Sequence, residues 1–458
     1  MLARLTCALG AAWLAMGSAS AQNAGSSSTS GSPPVAEKPV SSGDMKDEQF
    51  ALHGQITFVG QTNAPFHAAF EGPNSLRSRG DTRETADATL YAGVRPWRGA
   101  ELWINPEIDQ GFGLANTLGA AGFPSGEAYK VGKAKPYTRL QRLFFRQTVS
   151  LGGVSEKVAA DLNQLGGART ANRLVLTVGK FSVGDVFDTN TYAHDPRADL
   201  LNWTLIEAGS FDYAADAWGY TTGGAAELYR GRLAVRAGLF NLSKVPNSEV
   251  LDTGFRQYEL AGEVEERHSI GGRAGKLKLT VFANDGRMAR LDEAVALAAA
   301  TGGTPNPSLV RRFATRLGVS LNIEQAVTPN LGVFARAGVA DGRYEAYEFT
   351  DVDRSVSAGA SVTGAGWGRK DDRIGLAFAV NGASAARLRY LAAGGLGILI
   401  GDGRLLRAGT ENIAEAYYDF AVVKAVHVSA DVQAIEHPAY NRERGPVAVF
   451  GLRLHGQI

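Results

Sequence analysis

The stretch that decides the fold is KLKLTVFAND, residues 276–285, in which apolar and polar side chains alternate. Leu277 and Leu279 fall on one face of an extended chain, and Lys276 and Lys278 fall on the other. A period of two is typical of a β-strand whose two faces meet different surroundings. This stretch therefore predicts a strand that is apolar on one side and polar on the other.

The same alternation returns in segment after segment. The runs extend over about 8 to 12 residues, whereas strands of soluble proteins are usually about 5 to 6 residues long. A strand that crosses a membrane needs about 9 to 11 residues, and its backbone must be fully paired in a closed barrel. We therefore predict an all-β fold, a 16-stranded antiparallel transmembrane β-barrel, with strands near residues 50–61, 83–95, 99–110, 137–151, 172–183, 215–229, 231–241, 255–267, 275–286, 310–323, 331–341, 354–363, 371–381, 411–424, 426–436 and 446–458.

The connections between these segments are of unequal length, as outer-membrane barrels with short periplasmic turns and long outer loops require. Residues 95–101 and 324–332 are short connections, and the long ones are residues 111–136, 184–214, 287–309 and 382–409. We expect helical turns within residues 194–203 and 290–303. The loop after the fifth strand either folds inward or covers the barrel, and the apolar stretch 381–403 is a plug, an oligomer contact or a plain loop.

The amino terminus predicts export. Residues 1–21, MLARLTCALGAAWLAMGSASA, combine one basic residue, an apolar core too short to span a membrane, and a small-residue cleavage site. Residues 22–47 are rich in Ser, Gly and Pro, which predicts a flexible leader, and residues 48–458 form a single barrel domain. The one cysteine, Cys7, lies within the signal peptide, so the mature chain has no disulfide and no thiolate site.

Composition excludes several classes of function. The formal charge of the chain is +1, which argues against a nucleic-acid partner. None of the seven histidines occurs in a known hydrolase or metalloprotease motif. We therefore expect no enzyme activity, no catalytic residues, no metal and no cofactor.

Charged residues on the inward-facing parity are the candidates for the lining of a channel. On the third strand these are Trp103, Asn105, Glu107 and Asp109, within WINPEIDQGFG, residues 103–113. Two carboxylates this close could also form an acid–base pair, but the alternation of the neighbouring strands favours a lumen wall. Arg142 and Arg146 share the inward parity of the next strand, where we expect them to meet these acids at the narrowest point.

The loop after the fifth strand supplies further candidates, namely Asp185, Asp188 and Asn190, and it also carries Asp195 and Arg197. Lys180 breaks the parity of its strand, which predicts a bulge or an inward turn there. Two weaker candidates are Tyr129 and Lys130. We expect Trp97 and Trp218, near strand ends, to belong to the aromatic girdles at the membrane interfaces.

Three long stretches resemble the carbohydrate-selective outer-membrane porins of the OprB type. They are residues 96–148, which include WINPEIDQGFG, residues 178–203, VGKFSVGDVFDTNTYAHDPRADLLNW, and residues 217–247, AWGYTTGGAAELYRGRLAVRAGLFNLSKVPN. The resemblance extends over nearly the whole chain from about residue 48. It implies a 16-stranded barrel in the outer membrane of a Gram-negative bacterium.

The same resemblance implies a function, the passive diffusion of glucose and related small sugars into the periplasm. The implied partners are outer-membrane lipid and small sugars, and the chain is a monomer or a homotrimer. Two alternatives remain open at this point. One is a channel of the same fold for another small solute such as organic acids, and the other is a barrel with a mainly structural role.

Overall fold

Sixteen strands close into one antiparallel barrel in the computed structural model, which describes residues 47–458. Each strand pairs with its neighbours along the chain, and β1 pairs with β18 to close the ring. Two further short strands, β5 and β6, pair only with each other. The predicted barrel of sixteen antiparallel strands is confirmed, and the bounds of all strands are β1 Phe50–Asn63, β2 Asp81–Val94, β3 Ala100–Gly111, β4 Lys133–Ser150, β5 Ser155–Val158, β6 Gly167–Thr170, β7 Arg173–Phe181, β8 Thr221–Arg230, β9 Leu233–Asn241, β10 Tyr258–Ile270, β11 Arg273–Met288, β12 Arg312–Ala326, β13 Leu331–Ala340, β14 Arg354–Gly364, β15 Arg369–Gly382, β16 Glu411–Val423, β17 Val426–Glu436 and β18 Val447–Gln457.

The two faces of the barrel wall differ as the alternation predicts. On β11, Leu279 and Val281 are 48% and 49% exposed, whereas Lys278 and Thr280 are 1% exposed. The apolar residues therefore point outward and the polar ones into the lumen. The closed ring pairs the backbone of every wall strand on both sides, which is the condition for placing strands in lipid.

The two ends of the barrel carry different connections. One end, which we call the turn end, has the tight connections 231–232, 271–272 and 424–425 together with both chain termini of the barrel. The other, which we call the loop end, has the long connections, including residues 182–220 and 383–410. One connection at the turn end is exceptional, because residues 151–172 contain the hairpin of β5 and β6.

The helices lie in the long connections. The helix Leu291–Thr301 confirms the helical segment expected at residues 290–303. Within residues 194–203 the structure has one hydrogen-bonded turn, in which Asp199 N donates to Asp195 O at 2.7 Å. A short helix begins at Trp203, where the side chain of Asn202 accepts from Thr204 N. Another helix, Ala385–Ala392, begins at Ser384, whose hydroxyl accepts a bond from Arg387 N. Within residues 47–458, no helix has the length and apolar character to cross a membrane.

The predicted signal peptide and nearly all of the predicted leader lie outside the described residues. The described chain starts at Asp47, at the turn end, three residues before β1.

Two long connections fold into the lumen rather than over it. Residues 182–220, which we call the crossing loop, are buried over almost their whole second half. Residues 112–132, the adjacent loop, pack against it through Trp203 N, which donates to Phe123 O at 3.1 Å. The predicted start of β8 at residue 215 is therefore wrong, because residues 215–220 belong to the buried end of the crossing loop and the strand begins at Thr221.

Candidate functional site

The crossing loop is fixed to the wall opposite the strand it leaves. It follows β7, yet Asn202 N donates to a carboxylate oxygen of Glu415 on β16 at 2.9 Å, and Asn202 Nδ2 donates to Gln433 on β17 at 3.1 Å. In the closed strand order, β16 and β17 lie almost across the barrel from β7. The loop therefore divides the lumen.

Two of the predicted site residues fix this loop and do not line the open space. Asp188 is fully buried, accepts from Asn322 Nδ2 at 2.7 Å and lies 3.2 Å from Arg336 Nε. Asn190 donates to Asn322 Oδ1 at 2.7 Å. Since both side chains are bonded to the far wall on β12 and β13, their role in the structure is to anchor the loop.

The space that the loop leaves open is a cavity of about 1310 Å³ along one side of the barrel. Its walls come from β2 to β4 and β7 to β9, and from the two inward loops. The side chains that matter for a solute are aromatic or charged: Tyr91, Tyr129, Arg142, Asp185, Arg197, Trp218 and Tyr220.

Arg142 and Asp185 form a two-bond ion pair beside this cavity. Arg142 Nε and Nη2 donate to the two oxygens of Asp185 at 2.8 and 2.6 Å. The guanidinium carbon lies 4.9 Å from the ring centre of Tyr220. Burial raises the pKa of Asp185, but the charge and bonds of Arg142 outweigh burial and hold that pKa below its usual range. The pair thus presents fixed donors and acceptors next to an aromatic face.

Glu107 and Asp109 belong to a separate cluster of acids around Arg197. Arg197 Nη2 lies 3.4 Å from both Asp87 and Glu107, and its Nε lies 3.2 Å from Glu127. Burial opposes the charge on Arg197, but the surrounding carboxylates outweigh burial and raise its pKa. The expectation that these acids meet Arg142 and Arg146 is therefore wrong, because a guanidinium from the crossing loop takes that place.

A break in the β3–β4 ladder explains the different partners. Asn105 pairs with Arg142 and Pro106 pairs with Leu140, so Gln141 has no partner across the ladder. Proline has no N–H to donate, and a bulge opposite it removes the need for that bond. As a result Gln141 also turns inward, where it donates to Glu107 at 2.9 Å.

The other predicted residues of β3 and β4 are inside the barrel but in different surroundings. Trp103 is fully buried against Gly93 and donates through Nε1 to Glu101 at 3.0 Å. Arg146 lies 3.3 Å from the same Glu101 carboxylate. Asn105 is buried, and neither atom of its amide has a hydrogen-bond partner among the described residues.

Lys180 reaches inward without a bulge. The ladders of β7 with β4 and β8 continue through it in unbroken register. Gly179 has a φ of +138°, a conformation that L-residues avoid, and a Cβ there would approach Leu143 O to 2.3 Å. The Lys180 ammonium lies 3.3 Å from Asp216 in the crossing loop.

Trp218 is where sequence reasoning failed most clearly. It is 4% exposed and lines the cavity, with the Arg139 guanidinium 3.3 Å from its ring centre and Tyr137 accepting its N–H at 2.9 Å. The girdle expectation is therefore wrong for Trp218. Trp97, which is 59% exposed at the turn end, lies where such a girdle would be. Tyr91 and Tyr220 were not named as candidates, since nothing in the local pattern separates them from other strand and loop residues. Arg197 was noted only as a charged residue of the loop after the fifth strand.

One cluster has the composition of a hydrolase triad but not its geometry. His427 Nδ1 lies 2.6 Å from Asp419, and Ser429 donates to the other oxygen of the same carboxylate. In a nucleophilic triad the serine bonds to the histidine, not to the acid. Within the described residues, no group of three or more His, Cys, Asp or Glu side chains is arranged to hold a metal ion.

Comparison with known proteins identifies the family. The model of the carbohydrate-selective porin family, OprB, matches residues 73–458. The high-pH structure of Pseudomonas putida OprB aligns with 90% of this chain and 94% of its own, at 18% identity and a TM-score of 0.66. The Acinetobacter baumannii outer-membrane channel DcaP aligns with 89% and 97%, at 10% identity and a TM-score of 0.48. No curated protein matches the sequence. The chain belongs to the carbohydrate-selective porin family, OprB.

Proposed function

We propose that sugars cross the outer membrane through the cavity beside the crossing loop, past Arg142, Asp185, Trp218 and Tyr220. The observation that carries this route is a bidentate ion pair set against the aromatic ring of Tyr220 on the open side of the lumen. The family supplies the solute class and the channel function. The residues along the route are the new part of the proposal.

The chemistry of this lining suits a neutral, hydroxylated solute. A sugar loses hydrogen bonds to water on entering a narrow space, and it needs groups that both donate and accept in return. The Arg142–Asp185 pair offers both without net charge. The apolar faces of Tyr220 and Trp218 can cover the C–H face of a sugar ring. Contacts of this kind bind weakly, which lets the solute leave again.

The charges beside the cavity favour a neutral sugar over an organic acid. Arg142 is neutralised by Asp185, and Arg197 lies among Asp87, Glu107 and Glu127, so neither of these two arginines is without an acid partner. A ladder of arginines without acids would instead favour anions.

Current block by glucose in a planar bilayer tests the route. Glucose is expected to reduce the ion current of the wild type, and Arg142→Met is expected to raise the half-blocking concentration about fivefold, which is about 1 kcal/mol. Arg83→Met is the matched control, because Arg83 pairs with Asp81 away from the cavity lining. An unchanged half-blocking concentration in Arg142→Met would contradict the route. Faster entry of gluconate than of glucose into liposomes would instead support a channel for organic acids.

The remaining assignments concern the whole chain. We propose that residues 1–21 are removed on export, that residues 22–47 are a leader, and that residues 48–458 act as one barrel domain without enzyme activity. Mass spectrometry of the purified protein would give both the processed amino terminus, expected near Gln22, and the oligomeric state, monomer or trimer.

A further inference from the structure

The connection 151–172, which we call the turn-end hairpin, differs from every other described connection at its end of the barrel. Its strands pair from Ser155 with Thr170 to Val158 with Gly167. Its tip closes through paired backbone bonds between Asp161 and Gln164. Since β4 and β7 are direct neighbours that a tight turn could join, the hairpin is not needed to close the barrel.

The tip of the hairpin enters the barrel. Leu165 is 1% exposed and belongs to the same buried apolar cluster as Phe144 and Trp103 on the wall. Leu162 packs against that cluster. A leucine at a turn-end connection would otherwise be exposed to water, so its burial shows that the tip is seated inside the mouth of the barrel.

Three separate parts of the chain bind the tip. Arg146 Nη1 on β4 donates to Asn163 O at 2.8 Å, and Arg95 Nη2 in the connection 95–99 donates to Gly166 O at 3.2 Å. From the amino-terminal segment, Glu48 N donates to Gly166 O at 3.0 Å, and Gly166 N donates to the Glu48 carboxylate at 2.7 Å. Anchors on three sides hold the hairpin in one position across the opening.

The hairpin bounds the same cavity as the proposed sugar contacts. Its residues Ser155, Val158, Asn163 and Arg169 line the cavity that Arg142 also lines. On the facing wall the lining comes from β7 to β9. A solute that has passed the crossing loop therefore meets the hairpin before it reaches the turn end.

We propose that the turn-end hairpin is a second constriction, which sets the upper size of the transported solute, whereas the crossing loop sets its chemistry. This inference rests on the proposed route through the cavity. It assigns to Arg95 and Arg146 the role of positioning residues, which hold the hairpin through backbone carbonyls and do not select the sugar themselves. Arg146, a candidate for direct contact with the solute on sequence grounds, thus acts through the hairpin.

Shortening the connection tests the size limit. In the test variant, an Asn-Gly turn replaces residues 151–172 and joins Ser150 to Arg173, which are already paired. We expect the single-channel conductance to rise about twofold and a trisaccharide to enter liposomes faster, because the narrower exit is removed. The half-blocking glucose concentration is expected to stay at the wild-type value. Unchanged conductance and unchanged trisaccharide entry would overturn the proposal.

Two single-cysteine variants test the same proposal if the shortened barrel does not fold. The mature chain predicted from residue 22 has no cysteine, so a thiol reagent can react only with the cysteine that is introduced. Arg169 lines the cavity, whereas Lys157 lies exposed on the same hairpin outside the lining. A bulky thiol reagent is expected to reduce the current of Arg169→Cys and to leave that of Lys157→Cys unchanged. Equal effects on the two variants would contradict a constriction here.

The two proposals fail in different ways. If glucose does not block the wild type but the hairpin variants change conductance, the sugar route is wrong and the second constriction stands. If glucose blocks the wild type and neither hairpin variant changes conductance or size limit, the route stands and the second constriction is wrong.

Discussion

The side chains in the lumen take partners that their strand parity alone does not determine. Arg142 faces inward as its parity predicts, but the bulge at Gln141 interposes an amide between the arginine and Glu107. Arg142 then donates to Asp185, and the Glu107 carboxylate forms an ion pair with Arg197 instead. Pro106 thus separates Glu107 from Arg142, two charged residues that the sequence analysis expected to be in contact.

Lys130 gives a prediction at the residue scale, on the pH dependence of ion selectivity. Burial lowers its pKa to about 8 against the opposing effect of Glu348, Asp212, Asp351 and Asp216, and burial raises the pKa of Glu348. As pH rises from 7 to 9, Lys130 loses its positive charge, which makes the cavity lining more negative. Any proton that Glu348 loses beside it acts in the same direction. We therefore expect the ratio of potassium to chloride permeability to increase about twofold, measured from reversal potentials in a salt gradient.

The control for this prediction removes another lysine charge. Lys130→Met should abolish most of the pH-dependent change, whereas Lys133→Met should retain it, because Lys133 lies at the start of β4 outside the cavity lining. An equal pH response in wild type and Lys130→Met would show that another group titrates.

At the scale of elements, the crossing loop decides the shape of the open space. Arg336 on β13 donates to Leu205 O at 3.0 Å and to Ala193 O at 2.7 Å, and it lies 3.2 Å from the buried Asp188 carboxylate. The ring of Tyr192 occupies the place where a side chain at residue 332 would be, since a Cβ on Gly332 would lie 1.9 Å from it. Two residues of β13 therefore hold the crossing loop in place. Gly332 leaves room for the ring of Tyr192, and Arg336 pairs with the buried Asp188.

Loss of the arginine anchor should release the loop. Arg336→Met leaves Asp188 buried without its cation, which typically costs about 3–5 kcal/mol. Because the strands keep their own ladders, we expect the barrel to fold while the loop becomes sensitive to protease and the conductance rises and fluctuates. Arg312→Met removes only a surface pair with Glu293 and should match the wild type. A protease-resistant loop in Arg336→Met would contradict this role for the anchor.

The direction of side chains on the barrel wall was predictable from the sequence, whereas the contacts of loop residues inside the lumen were not. The alternation of β3 correctly predicted that four side chains point inward, because side-chain direction along a strand is a local property. These are Trp103, Asn105, Glu107 and Asp109. The place of Trp218 in the cavity lining and the contact of Arg197 with Asp87 and Glu107 were not predictable, because both residues lie in a loop whose path depends on contacts with distant strands.

At the scale of the whole molecule, the wall separates lipid from lumen along every strand. Leu279, near the middle of β11, is 48% exposed on the outer face, whereas its neighbour Lys278 is 1% exposed inside. Neighbouring residues of one strand therefore carry apolar side chains on the outer face and polar side chains on the inner face. Outer-membrane location follows from the family and the fold.

Charge on the outer face tests this separation. Leu279→Arg is expected to lower the free energy of unfolding by about 2–4 kcal/mol, since it places a guanidinium at mid-depth in lipid. Phe313→Arg, at the loop end of β12, should cost only about 0–1 kcal/mol, because depth decides the penalty. Denaturant unfolding in lipid vesicles measures both. Equal losses in the two variants would contradict the assigned depth.

The sequence by itself determined the number of strands in the barrel wall, their inward and outward faces and the unequal connections, and it carried the resemblance to sugar-selective porins. The first three follow from alternation and length, which are local properties that lipid imposes on every wall strand alike. The resemblance rests on the longer stretches 96–148, 178–203 and 217–247. The tertiary structure alone decided that residues 182–220 cross the lumen, that Arg142 pairs with Asp185, and that residues 151–172 enter the turn end. Each of these depends on contacts between segments distant in sequence, where polar groups inside a closed wall find whichever partner the folded backbone brings within reach.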